Sequence, residues 1–121
     1  MTENEIGTIV VGSAIAVHRE LGPGLLEAVY EVILARELQD RKLVIDRQVP
    51  VAIHYKGIRF DEGFRADMVV EGKVIVEVKS VERIDDIHRA QLLNYLRISG
   101  IRVGLLINFA KTKLEYERFI V

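Results

Sequence analysis

Apolar residues recur at helical intervals along the first part of the chain. Ile6, Ile9, Val10, Ala14, Val17 and Leu21 share one helical face, and Thr2 with Glu5 has the spacing of a capping box just ahead of them. The pattern predicts a first helix over residues 3–21, stopped by Gly22-Pro23-Gly24. A second helix is expected over 25–41, with Leu26, Val29, Ile33, Leu34 and Leu38 as its apolar side. The period then shortens to alternation. "LVIDRQVPVAIHY", "IRFDEGFRADMVV" and "KVIVEVKSV" read as strands, with a turn at Lys56-Gly57. A third helix is expected over 85–99, closed by Gly100, followed by the strands "RVGLLINF" and "KLEYERFIV". The order α-α-β-β-β-α-β-β implies an α/β fold in which helices flank a central mixed sheet.

One strand pair breaks its own pattern. In "KVIVEVKS", Val74, Val76 and Val78 share a face, while Ile75, Glu77 and Lys79 share the other. The face that Asp67 joins depends on the preceding turn. A two-residue turn at Glu71-Gly72 sets Asp67 and Arg65 among the valines, where burying charge costs on the order of several kcal/mol. A three-residue turn, Val70-Glu71-Gly72 with Gly72 left-handed, pairs Val69 with Lys73 instead. Ala66 and Met68 then join the valines, and Asp67 joins Glu77 and Lys79. The binary pattern selects this second register, because a one-residue slip exchanges the faces.

Composition narrows the class. Of 121 residues, 50% are apolar and 29% charged, which fits one domain spanning residues 1–121. The absence of cysteine excludes disulfides and thiolate metal sites and fits a reducing cytoplasm. "IGTIVVGSAIAVH" is too short to span a bilayer. The acidic opening "MTENEIG" is unlike a secretory signal, so a cytoplasmic protein with no membrane partner is expected. A net charge of −1 and a pI near 6.3 lack the global basic excess of many nucleic-acid binders. A local basic surface beside an acidic metal site gives the same sum.

Two carboxylates brought together suit a hard cation such as Mg²⁺ or Mn²⁺. A lysine two residues beyond the second carboxylate reaches a metal-bound water or a phosphate oxygen, a kit for phosphodiester hydrolysis. The competing reading of Asp67, Glu77 and Lys79 is a solvated strand face with an ordinary ion pair. Gln91 and Tyr95 lie four apart on the third helix, with His88 one turn earlier, bordering the apolar positions Ile87, Leu92, Leu96 and Ile98. They are either phosphate- and water-holding groups or amphipathic boundary residues. Glu27 and Tyr30 share one side of the second helix. Glu27 is a third acid for the cation or a first-turn glutamate favoured by the helix dipole.

Together these residues resemble a known family. Gly24, Glu27 and Tyr30 match the signature of the small GxxExxY proteins. Asp67, Glu77-Val78-Lys79 and Gln91-Leu92-Leu93-Asn94-Tyr95 match, in order, the core of the PD-(D/E)XK nuclease superfamily, especially its RecB-like branch. The likeness runs from about Ile6 past the "LINF" strand, with Ala66 where the superfamily's name has proline. It implies Mg²⁺ or Mn²⁺ held by Asp67, Glu77, the Val78 carbonyl and Glu27. It further implies that Lys79 positions the attacking water or stabilises the transition state, and that Gln91 and Tyr95 support the scissile phosphate or Lys79. The expected partner is nucleic acid, DNA ahead of RNA, with a homodimer or a partner protein helping to span it. Two alternatives accompany this reading. One is a small dimeric endonuclease resembling Holliday-junction resolvases, marked by preference for branched DNA. The other is a non-catalytic nuclease-fold module that binds nucleic acid or protein.

Overall fold

The elements form in the expected order. The computed structural model describes Met1–Val121 and contains α1 (Glu3–Leu21), α2 (Glu27–Asp40), β1 (Ile45–Tyr55), β2 (Ile58–Val70), β3 (Val74–Lys79), α3 (Asp86–Ser99), β4 (Val103–Asn108) and β5 (Glu115–Ile120). The Thr2/Glu5 capping box closes α1 as its spacing predicts, with both reciprocal bonds made. The five strands lie in sequence order in one mixed sheet, antiparallel except for the β3–β4 pair. The fold is therefore α/β. No helix is long and apolar enough to cross a membrane.

Two cores cover the two faces of the sheet. On one, Ile6, Val10, Ala14 and Val17 of α1 and Tyr30, Leu34 and Leu38 of α2 pack on Met68, Val70, Val74, Val76, Val78, Leu105 and Ile107. On the other, Leu92, Tyr95 and Leu96 of α3 cover Ala66, Val69, Ile75 and Leu106. The buried side of α2 is rotated from the expected one. Leu26 is 75% exposed and Val29 is exposed, while Tyr30, Glu31, Leu34, Ala35 and Leu38 are buried. A buried Glu31 cannot be anticipated from an apolar pattern, since only its tertiary partners make it tolerable. Similarly α3 buries Tyr95 with Leu92 and Leu96 and leaves Ile87 and Ile98 exposed.

The β2–β3 turn comprises Glu71, Gly72 and Lys73, one residue later than expected, with Val70 paired to Val74. Glu71 and Gly72 take φ values of 54° and 65°. The pairing is displaced by two residues from Val69–Lys73, an even step, so the relation of Met68 to the valines survives.

Ala66 does not follow. It packs with Val69 and Ile75 on the α3 side, whereas Met68 and Val70 pack on the α1/α2 side. The neighbouring strand does the same: Ile45 packs toward α1 and α2, while Val49 and Val51 pack toward α3. Both strands thus exchange faces between Arg47–Met68 and Val49–Ala66, and the pairing register is the same on either side. Gln48 and Asp67, the residues between, form no ladder pair. Gln48 has φ 52°, a left-handed backbone that costs a non-glycine residue roughly 1–2 kcal/mol. Farther along, the register shifts between Val51 and Ile53. There a Cβ on Gly63 would stand 2.2 Å from the Val51 carbonyl oxygen, so only glycine fits.

Candidate active site

Asp67 sits at this exchange of faces, and its position ends the regular β2–β3 ladder. The last regular pair is Met68–Val76. Beyond it, side chains replace main-chain pairing: the Asp67 N–H donates to Glu77 Oε1 at 3.2 Å, and the Val78 N–H donates to Asp67 Oδ2 at 2.8 Å. The two carboxylates are thereby brought together in the opening between the strands. Glu77 is only 5% exposed, and neither carboxylate has an ion-pair partner within 4 Å.

The electrostatics follow from that crowding. Burial pushes the Glu77 carboxyl up to about 8, with the Asp67 charge adding to the effect. Burial likewise raises Asp67 to about 6, helped by Glu31 and Glu27 and opposed by the Val78 N–H and Lys79. The Tyr95 hydroxyl is pushed up to about 12 by burial and by the charges of Glu77 and Asp67, which places α3 beside the pair. Tyr95 packs edge-on against Phe64, with ring centroids 4.6 Å apart. Gln91 is half-buried one turn before it.

Lys79 is half-buried at the end of β3 and makes no ion pair within 4 Å, although its charge lowers both carboxyls. Its carbonyl accepts the Phe109 N–H. Alternation along β3 therefore turns the Val78 main-chain groups to the β2 side, where its N–H already meets Asp67. Asn108, paired with Lys79 and fully buried, fixes the segment after the lysine. Its Oδ1 accepts from the Val81 N–H and its Nδ2 donates to the Val81 carbonyl.

The Gly22–Leu25 segment is held by Tyr30. Its hydroxyl donates to the Gly22 carbonyl at 2.5 Å and accepts from the Leu25 N–H at 3.1 Å, while its ring stacks on Phe109 at 4.5 Å. Gly24 has φ 107°, a backbone conformation that other residues rarely adopt. This clamp sets Glu27 at the start of α2, where Oε2 accepts the Ser80 N–H at 3.1 Å. Glu27 is thus tied to the segment after Lys79, a third arrangement beside the metal and dipole alternatives. No three His, Cys, Asp or Glu side chains form a group able to hold an ion. Asp67 and Glu77 come together as a pair, and Glu27 stays on Ser80.

His88 is a capping residue, its Nδ1 accepting the Asp85 N–H at 3.0 Å. Three residues beside the site, Glu31, Arg47 and Gln48, escape sequence reasoning. Glu31, 6% exposed, accepts from Arg47 at 2.6 Å and from Gln48 at 2.9 and 3.0 Å. The one available signal was Arg47 interrupting the apolar alternation of Ile45, Val49 and Val51.

Oxygen donors dominate this opening: a buried Glu77 carboxylate and a half-buried Asp67 carboxylate, both raised by burial and the first also by the charge of the second, beside a main-chain carbonyl. That donor set fits a hard divalent cation, whose charge would offset the repulsion. A family model for the PD-(D/E)XK nuclease superfamily matches residues 4–119, nearly the whole chain. Searches of curated proteins and of solved structures return no match.

Proposed function

The chain belongs to the PD-(D/E)XK nuclease superfamily, and from that membership we propose that it is a single-domain nuclease that hydrolyses phosphodiester bonds in DNA with Mg²⁺ or Mn²⁺. The observation that carries the proposal is the pairing of the half-buried Asp67 with the buried Glu77, without an ion-pair partner, beside Lys79.

In this reading Asp67, Glu77 and the Val78 carbonyl would hold the ion. Glu27, whose Oε2 accepts the Ser80 N–H, would contribute its other carboxylate oxygen to the site. When bound, the ion lowers the pKa of a water and offsets charge on the phosphate. The chain's own residues do the rest. Lys79 orients the attacking water and offsets negative charge on the phosphoryl oxygens. Gln91 and Tyr95 line the α3 side, where an amide and a neutral phenol hold the scissile phosphate or the Lys79 ammonium by hydrogen bonds. The phenol stays protonated throughout the working range because its pKa is raised.

Placement among the GxxExxY proteins of the RecB-like branch is part of the proposal. It is supported by the joint work of Gly24, Glu27 and Tyr30, a clamp that delivers a carboxylate to the end of the lysine strand. Cleavage of labelled single-stranded, duplex and branched DNA, with RNA alongside, tests the reading. Wild-type protein with Mg²⁺ or Mn²⁺ should cut at least one DNA substrate. Lys79→Ala, purified identically, should lose activity by about 10²-fold or more while its melting temperature is kept. Equal rates in the two proteins would remove Lys79 from the mechanism.

A further inference from the structure

Asp67 is held by its neighbours on β3, but what turns it there lies on β1 and α2. The exchange of faces occurs in both strands at once, between two stretches of undisturbed register. A regular ladder here would pair Asp67 with Gln48. Instead Gln48 adopts φ 52° and sends its amide to both oxygens of Glu31, at 2.9 and 3.0 Å. Arg47 supplies the charge that lets Glu31 remain buried, at 2.6 Å. Local irregularities in strands commonly re-aim a side chain beside an active site.

We propose that Glu31, Gln48 and Arg47 form a positioning unit that maintains the β1 irregularity facing Asp67 and thereby aims the Asp67 carboxylate at the Val78 N–H and the cation site. Glu31 is not itself a ligand in this arrangement, because both its oxygens are occupied by Gln48 and Arg47. It acts through the strand. Gln48 is the link: its left-handed backbone sets the switch, and its side chain ties the switch to α2. The connection of this unit to catalysis rests on the nuclease reading, but the positioning of Asp67 does not.

The test therefore begins without metal. Gln48→Gly tolerates the left-handed backbone while deleting the tether, and Glu31→Gln keeps the shape of the anchor but removes its charge. Amide hydrogen exchange at Val78 reports the bond to Asp67, and exchange at Val76, in the last regular ladder pair, reports the surrounding sheet. In both variants Val78 should exchange about tenfold faster or more, with Val76 close to wild type. Unchanged Val78 exchange, or equal acceleration at both amides, overturns the proposal. Mn²⁺ titration of the same proteins should show affinity reduced about tenfold in the variants. Measurable Mn²⁺ binding of equal affinity in all three also overturns it. If wild type binds no Mn²⁺ while the variants selectively expose Val78, the nuclease reading fails and the positioning role stands.

Discussion

Glu77 concentrates the conflict on which the site depends. Its carboxylate is buried, bonded to one N–H and faced by Asp67, so ionisation is opposed until a counter-charge arrives. Glutamine at this position keeps an acceptor for the Asp67 N–H and removes the charge. Without metal at pH 8, Glu77→Gln should melt above wild type by a few degrees, on the order of 1–3 kcal/mol. Near pH 5 the difference should shrink, because the wild-type carboxyl is then protonated. Added Mn²⁺ should stabilise wild type and leave the variant unmoved. Thermal melts at both pH values check this, and an equal Mn²⁺ response would remove Glu77 from the ligand set.

The clamp at the start of α2 links a motif to a geometry at the scale of elements. Tyr30 satisfies a carbonyl and an N–H of the preceding segment, whose glycines allow its turn. That segment in turn meets Ser80 through the Leu25 carbonyl and Glu27. Tyr30→Phe preserves the stacking on Phe109 but leaves both main-chain groups without their partner. It should cost about 1–3 kcal/mol in denaturant unfolding. Cleavage should fall more than stability alone explains, because Glu27 and the segment after Lys79 lose their common anchor. Full activity with reduced stability would assign Tyr30 to folding only.

Across the whole molecule, the carboxylate pair makes stability depend on pH in an unusual direction. Both carboxyls are raised above their ordinary values, Asp67 from 3.8 to about 6 and Glu77 from 4.5 to about 8. Within those windows the folded chain holds more protons than the unfolded one. Stability of the metal-free protein should therefore fall as pH rises from about 4.5 to 8, and it should level off above that. Millimolar Mg²⁺ or Mn²⁺ should reverse the loss at pH 8 and do little at pH 5.5, where protons compete for the same oxygens. Melting curves across this range, with and without chelator, measure both effects. Stability that rises with pH in the metal-free protein would contradict the site electrostatics.

Local rules in the sequence determined the succession of elements. Capping, glycine stops and periodicity depend on neighbours in the chain, and they placed α1, the turn at Lys56-Gly57 and the closing strands. They also brought out Asp67, Glu77, Lys79, Gln91 and Tyr95, because charge or amide groups on otherwise apolar elements stand out from the pattern. Tertiary structure decided what alternation along a single strand cannot carry. The side to which Ala66 turns, the burial of Glu31 and the strained backbone of Gln48 depend on one another through bonds between α2 and β1. A rule of period two assumes an unbroken strand, and this strand pair is broken at Asp67. The same holds for Glu27, whose partner Ser80 lies more than fifty positions away in the chain. Sequence periodicity reads the regular parts of a fold, whereas this site is built where two strands cease to be regular.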